Sequence, residues 1–308
     1  MRPQTQSPIT RPRGSIFEWL DPVIRSHRDK RSPSGPHSQK MRKLHPFLRA
    51  TTPDNEDGVR RLRFEESWYQ GRGVYGGVLA GAFARDMAAT LGTGEDDRPL
   101  RWMTVHFCAP ATGIAVIETK TARRGSSVTH LRAEILREED VIAFASATFA
   151  RARPSEFAWR RPTMPRVLAP ETIDPFAATP APTFTSNLEL RFCHGAKPLS
   201  GSEQTEIGVW IRFREPLLVD TAAALALLDA APPAAMARFN SLRPMATVAL
   251  SCQFFHTLPL ADARPDDHYL FVVRSNVCAD GYAEELGELW SRQGHLIALC
   301  WQTVALLG

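Results

Sequence analysis

The 308-residue chain has few cysteines and nothing in their arrangement that builds a site. The five (Cys108, Cys193, Cys252, Cys278, Cys300) are scattered and include no C-x-x-C pair, which argues against both a disulfide framework and a structural zinc centre. Long hydrophobic runs are missing too. The longest uncharged apolar stretch, residues 221–228, falls far short of the roughly 18 to 20 residues a spanning helix requires, so no membrane insertion is expected. The opening MRPQTQSPITRPRG lacks the apolar core of a secretory signal, and a cytoplasmic location is expected. No G-x-S-x-G occurs, which removes a nucleophilic serine elbow. Nine histidines form no H-x-x-x-H and no ligand-spaced pair with a cysteine, so no metal is expected. With 44% hydrophobic and 23% charged residues the chain is neither disordered nor low-complexity as a whole, and its length allows about two domains.

Charge is unevenly placed. Residues 1–43 hold ten Lys or Arg against three acids, +7 in a chain of net +4, which leaves the other 265 residues at about −3. The segment is rich in Ser and Pro and cannot bury enough apolar surface to offset its ordering entropy. Residues 1–48 are therefore expected to be a mostly disordered basic tail, with one short turn over residues 16–24 (IFEWLDPVI). No stacking-aromatic platform follows it, so no nucleic acid partner is expected. The string GRGVYG (residues 71–76) literally fits the dinucleotide fingerprint, with Asp96 and Asp97 about twenty residues on. The preceding FEESWYQ is amphipathic rather than a buried parallel strand, and no cofactor is expected.

Seven prolines in residues 151–183 read as a linker between a unit at 58–150 and another at 184–308. The two units share an order of segments. In the first, VYGGVLAGAF precedes RPLRWMTVHFCAPATG, AVIETKTARRGSSVTHLRAEIL and DVIAFASATFA; in the second, TAAALALLDA precedes RPMATVALSCQFFHTLP, HYLFVVRSNVCADGYAEELGELW and HLIALCWQTVA. Aligning Gly125 with Gly281 brings both to a matching Thr-x-Ala end, Thr148 with Ala150 and Thr303 with Ala305. Each helical segment is apolar nearly all round and must be wrapped on every side. The segments after it alternate or are rich in Val, Ile, Thr and Phe, as strands are. The expected class is α+β: a double hotdog, two antiparallel sheets each curled around a buried central helix.

These residues resemble the acyl-CoA thioesterases of the thioesterase II type, over roughly residues 60–306. The carriers are VYGGVLAG (74–81), WMTVHFCAP (102–110), the turn RRGSS (123–127), LALLD (225–229), ATVALS (246–251), DGY (280–282) and LIALCWQ (296–302). The resemblance implies hydrolysis of fatty acyl-CoA, as in lipid metabolism, by a water held and activated by an Asp ending the second helix, a Thr on the next strand and a Gln on the last. Asp229, Thr247 and Gln302 occupy those positions. It also implies a homo-oligomer. An acidic residue often found two positions after the Thr is Ala249 here.

The chemistry suits these residue types independently. Thioester hydrolysis needs a nucleophilic water, a base and donors for the oxyanion. Asp229 ends an apolar helix just before Pro232 and Pro233, where low polarity and the negative helix end both raise a carboxylate's pKa. Alone it reads first as a solvated helix-end acid, and the matches at Thr247 and Gln302 reverse that preference. Gln302 lies in an apolar strand, where it either meets a buried polar partner or faces solvent. Thr247 alone is an ordinary strand residue. Under the repeat, Gln302 corresponds to Ala147 and Thr247 to Leu100, so a single active site per chain is expected. The N–H groups of Gly76, Gly77 and Val78 form either an oxyanion or phosphate anchor or a close helix-to-sheet contact. Arg123 and Arg124, with Gly125 and Ser126, either hold coenzyme A phosphates or form a solvated turn. A non-catalytic acyl-CoA-binding module is the alternative function. Because residues 1–43 carry no patterned apolar face, their removal is expected to leave the melting temperature and turnover unchanged; a large drop in melting temperature would show that they are structural.

Overall fold

Thirteen of the fifteen strands join in one antiparallel sheet, and the two long apolar helices lie against its inner face. The computed structural model describes residues 44–92, 98–177 and 181–307. The expected tail up to residue 43, its turn at 16–24, and Asp96 and Asp97 lie outside the described residues. Residues 46–48 of that expected tail instead begin helix α1 (Pro46–Thr51). His45 Nδ1 accepts the Phe47 N–H there, and Pro46 at the first turn needs no acceptor.

The first unit continues with β1 (Asp54–Glu56), β2 (Val59–Phe64), a ribbon of β3 (Tyr69–Gln70) and β4 (Gly73–Val74), helix α2 (Gly76–Leu91), then β5 (Leu100–Phe107), β6 (Gly113–Arg124), β7 (Val128–Arg137) and β8 (Asp140–Ala150). The second has β9 (Leu188–Gly195), β10 (Glu206–Phe213), helix α3 (Thr221–Leu228), β11 (Met245–Phe254), β12 (Tyr269–Arg274), β13 (Cys278–Ala279), β14 (Tyr282–Trp290) and β15 (Leu296–Leu306). Strand order is β1-β2-β6-β7-β8-β5-β11-β15-β14-β12-β10-β9, with β13 on β14. The expected pair of separate sheets is thus corrected to one sheet. β5 pairs with β11 from Trp102 against Gln253 to His106 against Ala249, and Thr104 Oγ1 and Ser251 Oγ lie 2.9 Å apart across the seam. An unpaired central edge would leave backbone donors and acceptors open, and the two units satisfy each other's.

The inward face alternates as the sequence pattern requires. Leu131, Ala133 and Ile135 of β7 and Ala143, Ala145 and Ala147 of β8 are buried, while His130, Arg132 and Glu134 are exposed. Both helices are buried over most of their length, and α3 is buried from Ala222 through Leu228. The proline-rich segment is a docked strap rather than a loose tether. Met164, Val167 and Ile173 pack on Trp210, Leu270, Val272 and Trp290, and the Trp210 indole donates to the Leu168 carbonyl at 2.9 Å. Beneath the strap Glu189 is 6% exposed. Burial opposes its ionisation, yet hydrogen bonds from Arg212, His268 and Arg191 hold its carboxyl down at about 2.

The units share one core. Phe47 of α1 packs against Trp68 of the first unit and Phe213 of the second, at centroid distances of 5.8 and 5.0 Å, and closes over Gly81 of α2, where a β-carbon would meet its ring at 2.9 Å. Phe47→Ala is therefore expected to destabilise the protein by about 3 to 5 kcal/mol in denaturant unfolding.

Candidate active site

The site forms where the end of α3 lies beside the start of α2, the two helices running antiparallel so that the Ala222 carbonyl faces Gly81 and Asp220 pairs with Arg85 at 2.8 Å. Helix α3 stops because Asp229 leaves helical geometry (φ −108°, ψ 4°) and Pro232 and Pro233 cannot continue it. Its last turn abuts the first turn of α2. The Gly77 N–H donates to the Asp229 carboxylate, and the fully buried Tyr75 hydroxyl donates to the Ala226 carbonyl. Glycine is needed at both positions that open α2. A β-carbon on Gly76 would lie 2.7 Å from Asp229 Oδ2, and one on Gly77 would strike the Tyr75 ring at 2.3 Å. Leu228 and Ala230 are buried, and Asp229 between them is half-buried as a residue.

Gln302 and Thr247 come to the same place from neighbouring strands. Gln302 Nε2 donates to the Leu228 carbonyl at 3.2 Å, and its Oε1 accepts from Thr247 Oγ1 at 3.2 Å. Thr247 reaches it only because β11 carries a bulge. Leu250, Cys252 and Phe254 face inward, so strict alternation would turn Val248 inward and Thr247 outward. The pairing instead runs Thr247 with Val304, then Ala249 with Thr303, which leaves Val248 exposed and aims Thr247 at Gln302. The first unit repeats this backbone. There Leu100 pairs with Phe149, Trp102 with Thr148 and Met103 with Ala147, with Arg101 as the extra residue. Leu100 and Ala147 therefore stand where Thr247 and Gln302 stand, and the repeat has the geometry twice and the polar side chains once.

Burial pushes the Asp229 carboxyl up to about 7, against the Gly77 hydrogen bond, which lowers it. Burial, rather than the dipole of its own helix, is the leading cause of the shift. Sequence reading overlooked two further buried acids. Asp86 of α2 is 1% exposed but is tied to Arg60 at 3.0 Å and to Thr119 at 2.6 Å, so it is not placed to meet a water. Glu285 of β14 is 2% exposed and sits directly across the ladder from Gln302. Asp86 was hidden in the helical run AFARDMAAT and Glu285 in the alternating strand YAEELGELW.

The expected binding residues divide. Gly76, Gly77 and Val78 adjoin Asp229; Gly77 donates to it, the Val78 N–H donates to the Tyr75 carbonyl, and among the described residues the Gly76 N–H has no acceptor. The turn Arg123–Ser126 packs at the other end of α2. Arg124 donates to the Leu91 carbonyl, and Arg98 donates to the carbonyls of Gly125 and Ser126. Sixteen helical residues, about 24 Å, separate the two ends, so the structure does not bring this turn to the triad.

A sheet wrapping two buried helices is a hotdog arrangement, and here a carboxyl, an amide and a hydroxyl meet where the helices adjoin. The chain matches the acyl-CoA thioesterase N-terminal domain over residues 64–150 and the C-terminal domain over residues 166–306, and it belongs to the acyl-CoA thioesterase family. Among solved structures it is similar to a conserved hot dog fold protein of unknown function from Alicyclobacillus acidocaldarius, at 25% identity and a TM-score of 0.75, covering 86% of this chain and 99% of that one. It is also similar in fold to the acyl-CoA thioesterase II TesB2 of Mycobacterium marinum, at 18% identity and a TM-score of 0.66, over 85% of this chain and 98% of that one. No curated protein matches the sequence significantly. Among the described residues no helix is long and apolar enough to cross a membrane.

The raised carboxyl predicts a pH dependence of stability. Between its ordinary 3.8 and about 7, Asp229 binds a proton in the folded state that it has lost in the unfolded state, so stability falls as pH rises through that window. Asp229→Asn removes this loss. The variant is expected to melt higher than the parent at pH 8, with the two melting temperatures converging near pH 4.

Proposed function

We propose that the protein hydrolyses the thioester of fatty acyl-CoA to the free acid and coenzyme A, through a water activated by Asp229 and positioned by Thr247 and Gln302. The observation that carries this reading is the Asp229 carboxyl, held at about 7 by burial beside the opening turn of α2, one residue from the carbonyl that Gln302 grips. A base whose pKa lies near working pH combines a large ionised fraction with good proton affinity.

In the reaction the water oxygen attacks the thioester carbon while Asp229 takes one of its protons. The carbonyl oxygen gains negative charge at the opening turn of α2, where the Gly76 N–H is unpaired and the helix end is positive. Collapse breaks the carbon–sulfur bond, and the proton held by Asp229 passes to the leaving thiolate. Gly76 thus serves the reacting end of the substrate, while the Gly77 N–H serves Asp229 and the Val78 N–H stays on the Tyr75 carbonyl. The turn carrying Arg123, Arg124, Gly125 and Ser126 lies too far away for that, and as a binding element it would meet a remote part of acyl-CoA.

The test is thiol release from a chain-length panel of acyl-CoAs, with variants. Asp229→Asn is expected to lower turnover by a factor on the order of 100 to 10,000 while acyl-CoA binding persists. Gln302→Ala and Thr247→Ala should each lose less, and their effects should not add to that of Asp229, since all three act on one water. Ala147→Gln, at the mirror position, leaves turnover unchanged. Near-normal activity of Asp229→Asn refutes the assignment. Tight binding of a non-hydrolysable analogue without turnover of any acyl-CoA would favour the non-catalytic module.

A further inference from the structure

We infer that Glu285 is a positioning residue of this site: it fastens the segment that follows Asp229 to the strand beside Gln302, so that Asp229 is held between two ties. The inference rests on the reading of Asp229 as the base.

The geometry is as follows. Glu285 and Gln302 are direct cross-strand partners on β14 and β15, so both side chains project from the same, inward face. Gln302 grips the chain at Leu228, one residue before Asp229. Glu285 grips it just beyond. Its Oε1 accepts from the Ala235 N–H at 3.2 Å, and its carboxyl also takes the Ala234 N–H. These two N–H groups open the 3-10 turn Ala234–Arg238 and are the first donors after Pro232 and Pro233, which have none. The six residues 229–234 therefore run between two anchors set side by side on adjacent strands.

Packing alone does not call for an acid here. Glu285 is 2% exposed, and among the described residues no Lys, Arg or His forms an ion pair with it. A buried carboxyl without a cation is unfavourable unless its hydrogen bonds serve some purpose. The repeat shows what packing prefers. In the first unit the partner of Ala147 across the ladder is Leu131, 1% exposed, so the pair Leu131 and Ala147 stands where Glu285 and Gln302 stand. Thr247, Gln302 and Glu285 are the three inward positions at which the second unit is polar and the first apolar, and only the second unit has Asp229.

Two titratable groups lie on the same face as Glu285, Asp229 from the end of α3 and Cys300 from β15, and the adjoining Glu284 acts on it from the other face of the strand. Burial first, then Glu284 and Asp229, push its carboxyl up to about 8, against the bonds from Ala235 and Ala234. Two carboxyls raised by burial on one face titrate as a pair, and loss of the first proton leaves one negative charge between them. Ionisation above about 8 sets a second negative charge against the developing oxyanion.

The test uses the full chain with Glu285→Leu, which copies the first unit, and Glu285→Gln, which keeps an acceptor oxygen. Glu285→Leu is expected to remain folded and to lose at least about tenfold in kcat, with KM changed less than about threefold. Glu285→Gln should recover kcat to within about threefold, and the fall in rate above about pH 8 expected of the parent should be absent. Amide exchange at Ala234 and Ala235, which needs no turnover, should be slow in the parent and in Glu285→Gln and fast in Glu285→Leu. Equal kcat for Glu285→Leu and the parent, or equal protection of the two amides in all three proteins, overturns the inference. Asp229→Asn measured in parallel separates the failures. If it is active, the base assignment falls and this role falls with it; if it is inactive while Glu285→Leu is fully active, only the role of Glu285 falls.

Discussion

A carboxyl group wedged between the end of one buried helix and the start of another is the constraint around which this protein is arranged. Asp229 ends α3, and its oxygen lies so near the first residue of α2 that a β-carbon at Gly76 would be 2.7 Å from it. The chain meets that demand with glycine at 76 and 77, a Gly77 N–H turned to the carboxylate, and a Tyr75 hydroxyl that takes up the Ala226 carbonyl one turn earlier. The junction joins the two units, so neither unit alone can form it. The shared sheet follows the same logic: pairing β5 with β11 holds the two helices in one frame.

Duplication supplied the backbone of the site twice, and side-chain identity made one copy chemical. The bulge at Val248 that turns Thr247 inward has its counterpart at Arg101, which turns Leu100 inward. Leu100, Ala147 and Leu131 are buried and fill the first copy with hydrocarbon. The second copy replaces them with groups that must be hydrogen-bonded to be tolerated. They are bonded to one another and to the chain on either side of Asp229.

This arrangement sets stability against function. Asp229 and Glu285 are held at about 7 and about 8 chiefly by burial, so each is more easily charged in the unfolded chain than in the folded one. Folding is weaker at neutral pH for that reason. On the proposed reading a base matched to neutral pH requires this environment, and sites of this kind are commonly less stable than an apolar filling would be.

Much of this was written in the sequence. Two runs of like order ending in Thr-x-Ala, two helices apolar all round, and alternating strands such as residues 131–135 determine a duplicated sheet around buried helices, because periodicity and burial are local matters. Asp229, Thr247 and Gln302 were legible as types at matching positions. Their meeting was not, since it depends on a bulge that shifts one strand by a residue and on a carbonyl, that of Leu228, which no side-chain pattern reveals. Glu285 read as one more alternating residue of YAEELGELW, and the single sheet read as two. Which face a residue takes, which edge finds a partner and which carboxyl loses its water are decided only when distant segments close on one another. Register and desolvation are properties of pairs of segments, and neither segment carries them alone.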